Sequence, residues 1–314
     1  MTIVLERELG IEYLIYEVTS ASEVFNYQIL MIDIPTNLTQ FLFEQTTEKE
    51  REWLEKKVQS NVLDLMTAFV AAPRFLSKKI VTYDSKSKGS LIPHQVGFQV
   101  DGWNLIRLSR VWLLLHLPAQ DKEQFIKNID TLFDTAELNE LVALYSALPL
   151  LPYPWEWLPR ATDAVRSNMG FVFDAIALLN PYPELYFPEL AWNQLVLKTI
   201  FNGKPIHWIY GIERRKNKEL AVAVSDFISE RTAAGRKMPL QIWRLVAPFA
   251  DESMSPKLIR LFASELKTER EVAAIVCFES TNPQVHSLLS KYPDLKLSIQ
   301  NGELDWSKLE SIPE

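Results

Sequence analysis

Guanidinium, carboxamide and ammonium groups crowd the stretch from residue 166 to residue 244, among neighbours that are largely apolar. Arg166, Asn168, Asn193, Gln194, Lys198, Arg214, Arg215, Asp226, Glu230, Arg231, Arg236 and Arg244 are interleaved there with Trp192, Phe201, Trp208 and Trp243. A polar group in an apolar interior is costly unless partnered, and a lone charge costs more. Such a set therefore forms either a connected network that holds the fold or a site. The chemistry it suits is recognition of an anionic or hydroxylated ligand with an apolar body. The candidate ligand-binding residues are Arg166, Asn168, Trp192, Asn193, Gln194, Lys198, Arg214 and Arg215. Asn168, Asn193 and Lys198 are expected to converge on one pocket or groove, with Arg166 or Arg214 at its rim, because consecutive helices usually pack together. The plainer alternative is that each group caps a turn or reaches solvent on its own. Arg231 falls on the apolar face of its helix, with Asp226 and Glu230 on the flank, which predicts a buried structural ion pair.

Helices must position these groups. Prolines 118, 149, 152, 181, 183, 205, 239, 256 and 283 fall between periodic segments, the punctuation of many short helices. Thr47 with Glu50, Asp134 with Glu137 and Thr268 with Glu271 have capping-box spacing, and Ser255-Pro256 and Asn282-Pro283 join a cap to a first-turn proline. Together these signals predict helices at about 47–72, 103–117, 120–133, 137–148, 159–179, 188–202, 217–235, 240–250, 256–266, 269–279 and 283–292. Segments 11–18 and 24–34 read as strand or helix, and about 78–101 reads as a long loop. The expected fold is all-α, an α-α superhelix of HEAT-like helical pairs, with a compact helical bundle as the alternative. The expected layout is an N-terminal segment at 1–45, a helical body at 46–250 and a helical tail at 251–314 packed on it.

Composition narrows the function classes. The chain is 47% hydrophobic and 23% charged, as expected of a folded globular protein. Its net charge of −7 argues against non-specific nucleic-acid binding. The single cysteine, Cys277, rules out an internal disulfide and a cysteine-cluster metal site. No signal peptide or membrane-spanning run is evident, so a cytoplasmic protein is expected. The four histidines are scattered, and no zinc-peptidase helix, phosphate loop or nucleophile elbow is found. No metal and no cofactor are expected.

The motifs taken together resemble the EboA-domain family. They are Asn180-Pro181-Tyr182-Pro183, Trp192-Asn193-Gln194 with Lys198, Arg214-Arg215 with Asn217, Glu230-Arg231, Ala233-Ala234-Gly235-Arg236 and Trp243-Arg244. Upstream, Glu137 to Tyr145, Leu148-Pro149-Leu150 and Arg166-Ser167-Asn168-Met169 fit the same pattern, so the resemblance covers roughly residues 48–250. Ser229 and Thr232 depart from it, standing where a histidine and a tryptophan are expected. A catalytic base at the first of these positions would be missing here. The resemblance implies an all-helical protein of a bacterial gene cluster associated with traffic of a secondary metabolite toward the periplasm. Its implied partners are a small metabolite or other proteins of that cluster, a membrane prenyltransferase among them.

Two functions remain open on the sequence. One is a non-catalytic scaffold or carrier that holds a metabolite or a partner enzyme in a groove. The other is an enzyme acting on an anionic or prenylated metabolite, with Lys198, Arg166 and Arg214 on the anion and Asp226 or Glu230 as acid–base. A deep apolar cavity with Lys198 pointing inward favours the enzyme; a shallow groove favours the scaffold.

Overall fold

The structure is a computed structural model that describes residues 37–82, 98–100, 102–236 and 238–310. The expectations for 11–18 and 24–34, and most of the loop at 78–101, lie outside the described residues. Among the described residues the fold is all-α, and the only extended pairing is one antiparallel bridge between Ile80 and Asn104. The chain forms two compact units, Met1–Pro188 and Glu189–Glu314, so the division falls inside the body expected at 46–250.

The first unit contains α1 (37–45), α2 (Glu48–Val58), α3 (Val62–Ala71), α4 (Leu105–Leu114), α5 (Lys122–Thr135), α6 (Leu138–Ala147), α7 (Leu158–Arg166), α8 (Gly170–Ala177) and α9 (Tyr182–Tyr186). α4 lies between α3 and α6, and α6 in turn packs on α8. Nine of the ten α4 residues are buried, which makes it the centre of the unit.

The expected helix at 47–72 is two helices. Thr47 and Glu50 form the predicted capping box of α2, with Thr47 N–H donating to Glu50 Oε2 at 2.8 Å. The chain then breaks at Ser60-Asn61, where local side-chain bonds outcompete the helix. Ser60 Oγ donates to Lys57 O at 2.6 Å, and Asn61 Oδ1 accepts from Asp64 N–H at 2.9 Å to start α3. The expected helix at 159–179 divides for the same reason. Ser167 is extended, at φ −61° and ψ 142°, and its Oγ accepts from Met169 N–H, so α7 stops and α8 begins afresh. The capping box expected at Asp134 lies three residues on: α5 runs through Asp134, and Glu137 N–H donates to Glu140 Oε2 at 3.0 Å.

Buried Asn180 stitches this unit together. Its Nδ2 donates to Tyr145 O at 3.0 Å and to Ala175 O at 2.8 Å, and its Oδ1 accepts from Tyr182 N–H at 2.9 Å. One carboxamide thus satisfies backbone from α6, α8 and α9, as a buried polar group must.

The second unit contains α10 (Glu189–Phe201), α11 (Lys218–Ala233), α12 (Trp243–Val246), α13 (Ser255–Phe262), α14 (Lys267–Glu279), α15 (Pro283–Leu288), α16 (Pro293–Gln300) and α17 (Trp306–Glu310). α14 is its axis: Val272 to Cys277 are all buried, and α12, α13, α15 and α16 pack around it. It starts at Lys267, two residues before the cap expected at Thr268 would allow. Asn282 caps α15 as expected, accepting from Gln284 and Val285 N–H. The segment at 240–250 is broken into short 3-10 turns on either side of α12, with Pro248 in the last of them. α16 and α17 lie past the last helix given bounds from the sequence, at 283–292, within the stretch expected as a helical tail.

Candidate functional site

The start of α11 is where four of the singled-out residues meet structural duties. α10 is apolar nearly all round, and Trp192 on it is fully buried. Its indole N–H donates to Arg215 O at 3.2 Å, while the Arg215 guanidinium lies 4.8 Å from the ring centroid. Next to it, Asn193 and Asn217 exchange amide hydrogen bonds: Asn193 Nδ2 donates to Asn217 Oδ1 at 3.1 Å, and Asn217 Nδ2 donates to Asn193 Oδ1 at 2.8 Å. Asn217 Oδ1 also accepts from Leu220 N–H at 2.8 Å, capping α11. This knot pins the reversal between α10 and α11. Trp192, Asn193 and Arg215 are therefore brought together, with Asn217 as the fourth member. Arg214 is exposed, its guanidinium 4.8 Å from the Tyr210 ring. Gln194 is exposed, and Lys198, one turn on, is half-buried. Burial holds the Lys198 ammonium below its ordinary pKa.

In the first unit Arg166 is exposed and lies 3.5 Å from Asp163, a solvent-screened contact one turn away. Asn168 is exposed in the turn between α7 and α8, not at the edge of a buried stripe, because the helix expected to carry it is broken at Ser167.

The buried ion pair expected on α11 is corrected. Of the apolar face expected from Leu220, Val224 and Phe227, the first two are buried and Phe227 is half-buried; Asp226 and Glu230 are exposed, and Arg231 is half-buried over the Phe227 ring, 5.4 Å from its centroid. The apolar face turns away through Ile228, so Arg231 sits at its margin.

The buried charge of this unit is instead at Arg244 on α12. Arg244 Nη1 donates to Glu310 Oε1 at 2.7 Å and to Gln241 Oε1 at 3.1 Å. Its Nε lies 2.6 Å from Glu213 Oε1, but the N–H does not point along that line, so this contact is an ion pair rather than a directed hydrogen bond. Glu213 also holds Lys216 at 2.5 Å, and Lys216 lies 3.7 Å from Glu279. The Trp306 indole N–H donates to Glu279 Oε1 at 2.8 Å. Burial pushes the Glu279 carboxyl above its ordinary value, against the opposing pull of Lys216 and the Trp306 hydrogen bond. His207 beside this network is held below its usual pKa by burial, with Arg244 adding to the effect and Glu310 opposing it. The sequence placed Arg244 and Trp243 in the polar-rich stretch and in the family resemblance but gave Arg244 no partner. Its partners stand up to 66 residues away, beyond any local spacing rule.

A second buried pair lies in the first unit. Arg110 Nη2 donates to Glu140 Oε1 at 2.9 Å, with the two side chains 3% and 7% exposed. Arg110 Nε also donates to Phe69 O at 2.9 Å. One turn earlier on α4, Arg107 lies 3.9 Å from the Trp103 ring centroid and its Nε donates to Ser146 Oγ at 2.9 Å. Neither arginine was singled out from the sequence. The available signal was two arginines three apart in an otherwise apolar helix.

A surface cleft of about 250 Å³ completes the picture of the second unit. It is lined by α11 and the segment 246–254, with apolar Val222 and Phe249 beside charged Lys218, Asp226 and Asp251.

The family profile described as "Metabolite traffic protein EboA" matches residues 34–247, more than half of the chain. The chain belongs to the EboA family. No curated protein and no solved structure matches it. The EboA match covers α1 to α12, and so contains the Trp192–Asn217 knot, Arg244 and the Arg110–Glu140 pair. Glu279, Trp306 and Glu310, which complete the Arg244 network, lie beyond it. No helix among the described residues is long and apolar enough to cross a membrane.

Proposed function

We propose that this EboA protein serves metabolite traffic as a non-catalytic helical carrier or scaffold, holding a metabolite or a segment of a partner protein in the cleft beside α11. The size of that cleft carries the reading. At about 250 Å³ it falls below the ~300–1,000 Å³ of pockets that engulf a small-molecule substrate. It suits the end or edge of a ligand, not an enclosed reacting centre. Its lining mixes apolar Ala221, Val222, Val246, Phe249 and Met254 with Lys218, Ser225, Asp226 and Asp251, a combination fitted to an apolar body with polar groups at its margin. Lys198 is not among the lining residues.

The disposition of the other polar groups supports the same reading. Glu213 and Glu310 meet Arg244, Glu279 meets Lys216 and Trp306, and Asn193 meets Asn217. Groups engaged in this way fix the fold, as buried polar networks commonly do. The cargo we infer is a secondary metabolite moving toward the periplasm, received in the cytoplasm from other proteins of a bacterial gene cluster.

Mass spectrometry of small molecules released from the purified chain tests the cleft. Val222 is 54% exposed and lines the cleft, so Val222→Arg places a charge there while sparing the core. The variant is expected to lose the retained molecule. Equal retention by the variant and the wild type would remove the cleft from the account.

A further inference from the structure

Two arginines one turn apart on α4 are treated very differently by their surroundings. Arg110 meets the Glu140 carboxylate and two main-chain carbonyls, from Phe69 and Val70. Arg107 meets one hydroxyl, Ser146 Oγ, and one aromatic face, Trp103. No carboxylate partners it among the described residues. The Arg107 position is half-buried, and burial pushes its guanidinium down to about 9. The charge also stands in the first turn of α4, three residues after the Asn104 cap, where the helix dipole disfavours a cation. A desolvated cation at the wrong end of a helix dipole, held rigid and left without a counter-charge, is arranged to meet an anion from outside.

The geometry limits what that anion is. A guanidinium offers five N–H donors, and the Nε bond to Ser146 uses one of them. The Trp103 ring 3.9 Å away covers one face of the plane, and the hydrogen bond to Ser146 fixes its rotation. The terminal Nη1 and Nη2 groups remain as an end-on fork, the geometry that matches the two oxygens of a carboxylate. One positive charge balances one negative charge, and the nearby cation on α4, Arg110, is already engaged by Glu140.

We propose that Arg107 is a carboxylate-binding residue, receiving a ligand carboxylate on its terminal Nη pair with Trp103 as platform and Ser146 as positioning residue. The site belongs to the first unit and does not depend on whether the cleft beside α11 holds a cargo. Acetate is the probe, with inorganic phosphate and chloride compared at matched ionic strength. The readout is the 15N resonance of the Arg107 Nε–H in the full chain, assigned by its absence in Arg107→Lys. Saturable movement of that resonance with acetate is expected, with phosphate weaker and chloride giving only a small linear drift. Arg107→Lys keeps the charge and loses the fork, so acetate affinity, followed by the amide of Ser146, is expected to fall about tenfold or more. Ser146→Ala frees the guanidinium plane and is expected to weaken acetate less than that while leaving the fold unchanged. An acetate response that does not saturate, or equal affinity in Arg107→Lys, overturns the proposal. Tighter saturable binding of phosphate than of acetate overturns its assignment to carboxylates.

Discussion

Removing Arg110 strands a buried carboxylate, and the size of the effect follows from what remains around it. In the native chain Glu140 Oε1 accepts from Arg110 Nη2 at 2.9 Å, and Oε2 accepts from Glu137 N–H at 3.0 Å. Arg110→Met fills much of the same volume but leaves Oε1 without its cation. It also takes donors from the carbonyls of Phe69 and Val70. Breaking a buried pair from one side costs about 3–5 kcal/mol, mostly the penalty of the uncompensated charge. Arg110→Met with Glu140→Gln removes that charge and keeps an acceptor for Glu137 N–H, so the double variant should recover about half of the loss or more. Urea unfolding measures the total. Amide hydrogen exchange in α4 and α6 assigns it to the first unit, since the two compact units need not unfold together. With a slope of about 1–3 kcal/mol per molar urea, the single variant should lower the midpoint by roughly 1 M or more. A loss below about 1 kcal/mol, or a double variant no better than the single, would refute the reasoning.

Three further outcomes follow from the same geometry. Arg231→Ala should cost no more than about 1 kcal/mol in urea unfolding, because the neighbouring acids are exposed and the guanidinium lies at the margin of the core. Asn217→Ala should cost about 1–2 kcal/mol and raise hydrogen exchange in the first turn of α11, since it removes both the cap and the Asn193 partner. Burial tends to raise the Glu50 carboxyl, but hydrogen bonds from Thr47 and Ser77 prevail and hold it below its ordinary value. A depressed carboxylate contributes stability that is present above the unfolded-state value near 4.5 and is lost as pH falls through the folded-state value. Glu50→Gln should therefore be less stable than the wild type at neutral pH, with the gap narrowing below about pH 4.5 in pH-dependent urea unfolding.

The helical class was legible because it rests on local rules. Thr47 with Glu50 and Asn282 before Pro283 cap helices as their spacing requires. The breaks were harder to read. Ser60-Asn61 and Ser167 interrupt stretches whose apolar period continues across them, and one or two local side-chain hydrogen bonds mark each break. Of the candidate site, the sequence brought Trp192, Asn193 and Arg215 into view, and the structure joins them through Asn217. What it could not show is which polar groups would be buried. Arg231 follows the apolar period yet lies at its margin, while Arg244 is buried because Glu213 and Glu310 come to it from distant segments. Pairing between distant segments has no signature in local spacing, and the same holds for Arg110 with Glu140.

The most direct test of the carrier reading is the chemical identity of what the chain retains, compared before and after incubation. Untargeted mass spectrometry of the molecules released by denaturing freshly purified protein identifies the cargo. The same measurement after the native complex has stood for hours at working temperature, with excess cargo added, shows whether the chain alters it. A carrier returns the molecule at unchanged mass and near-stoichiometric amount. A new product accumulating beyond the amount of protein, and lost on denaturation, would show turnover and contradict the account.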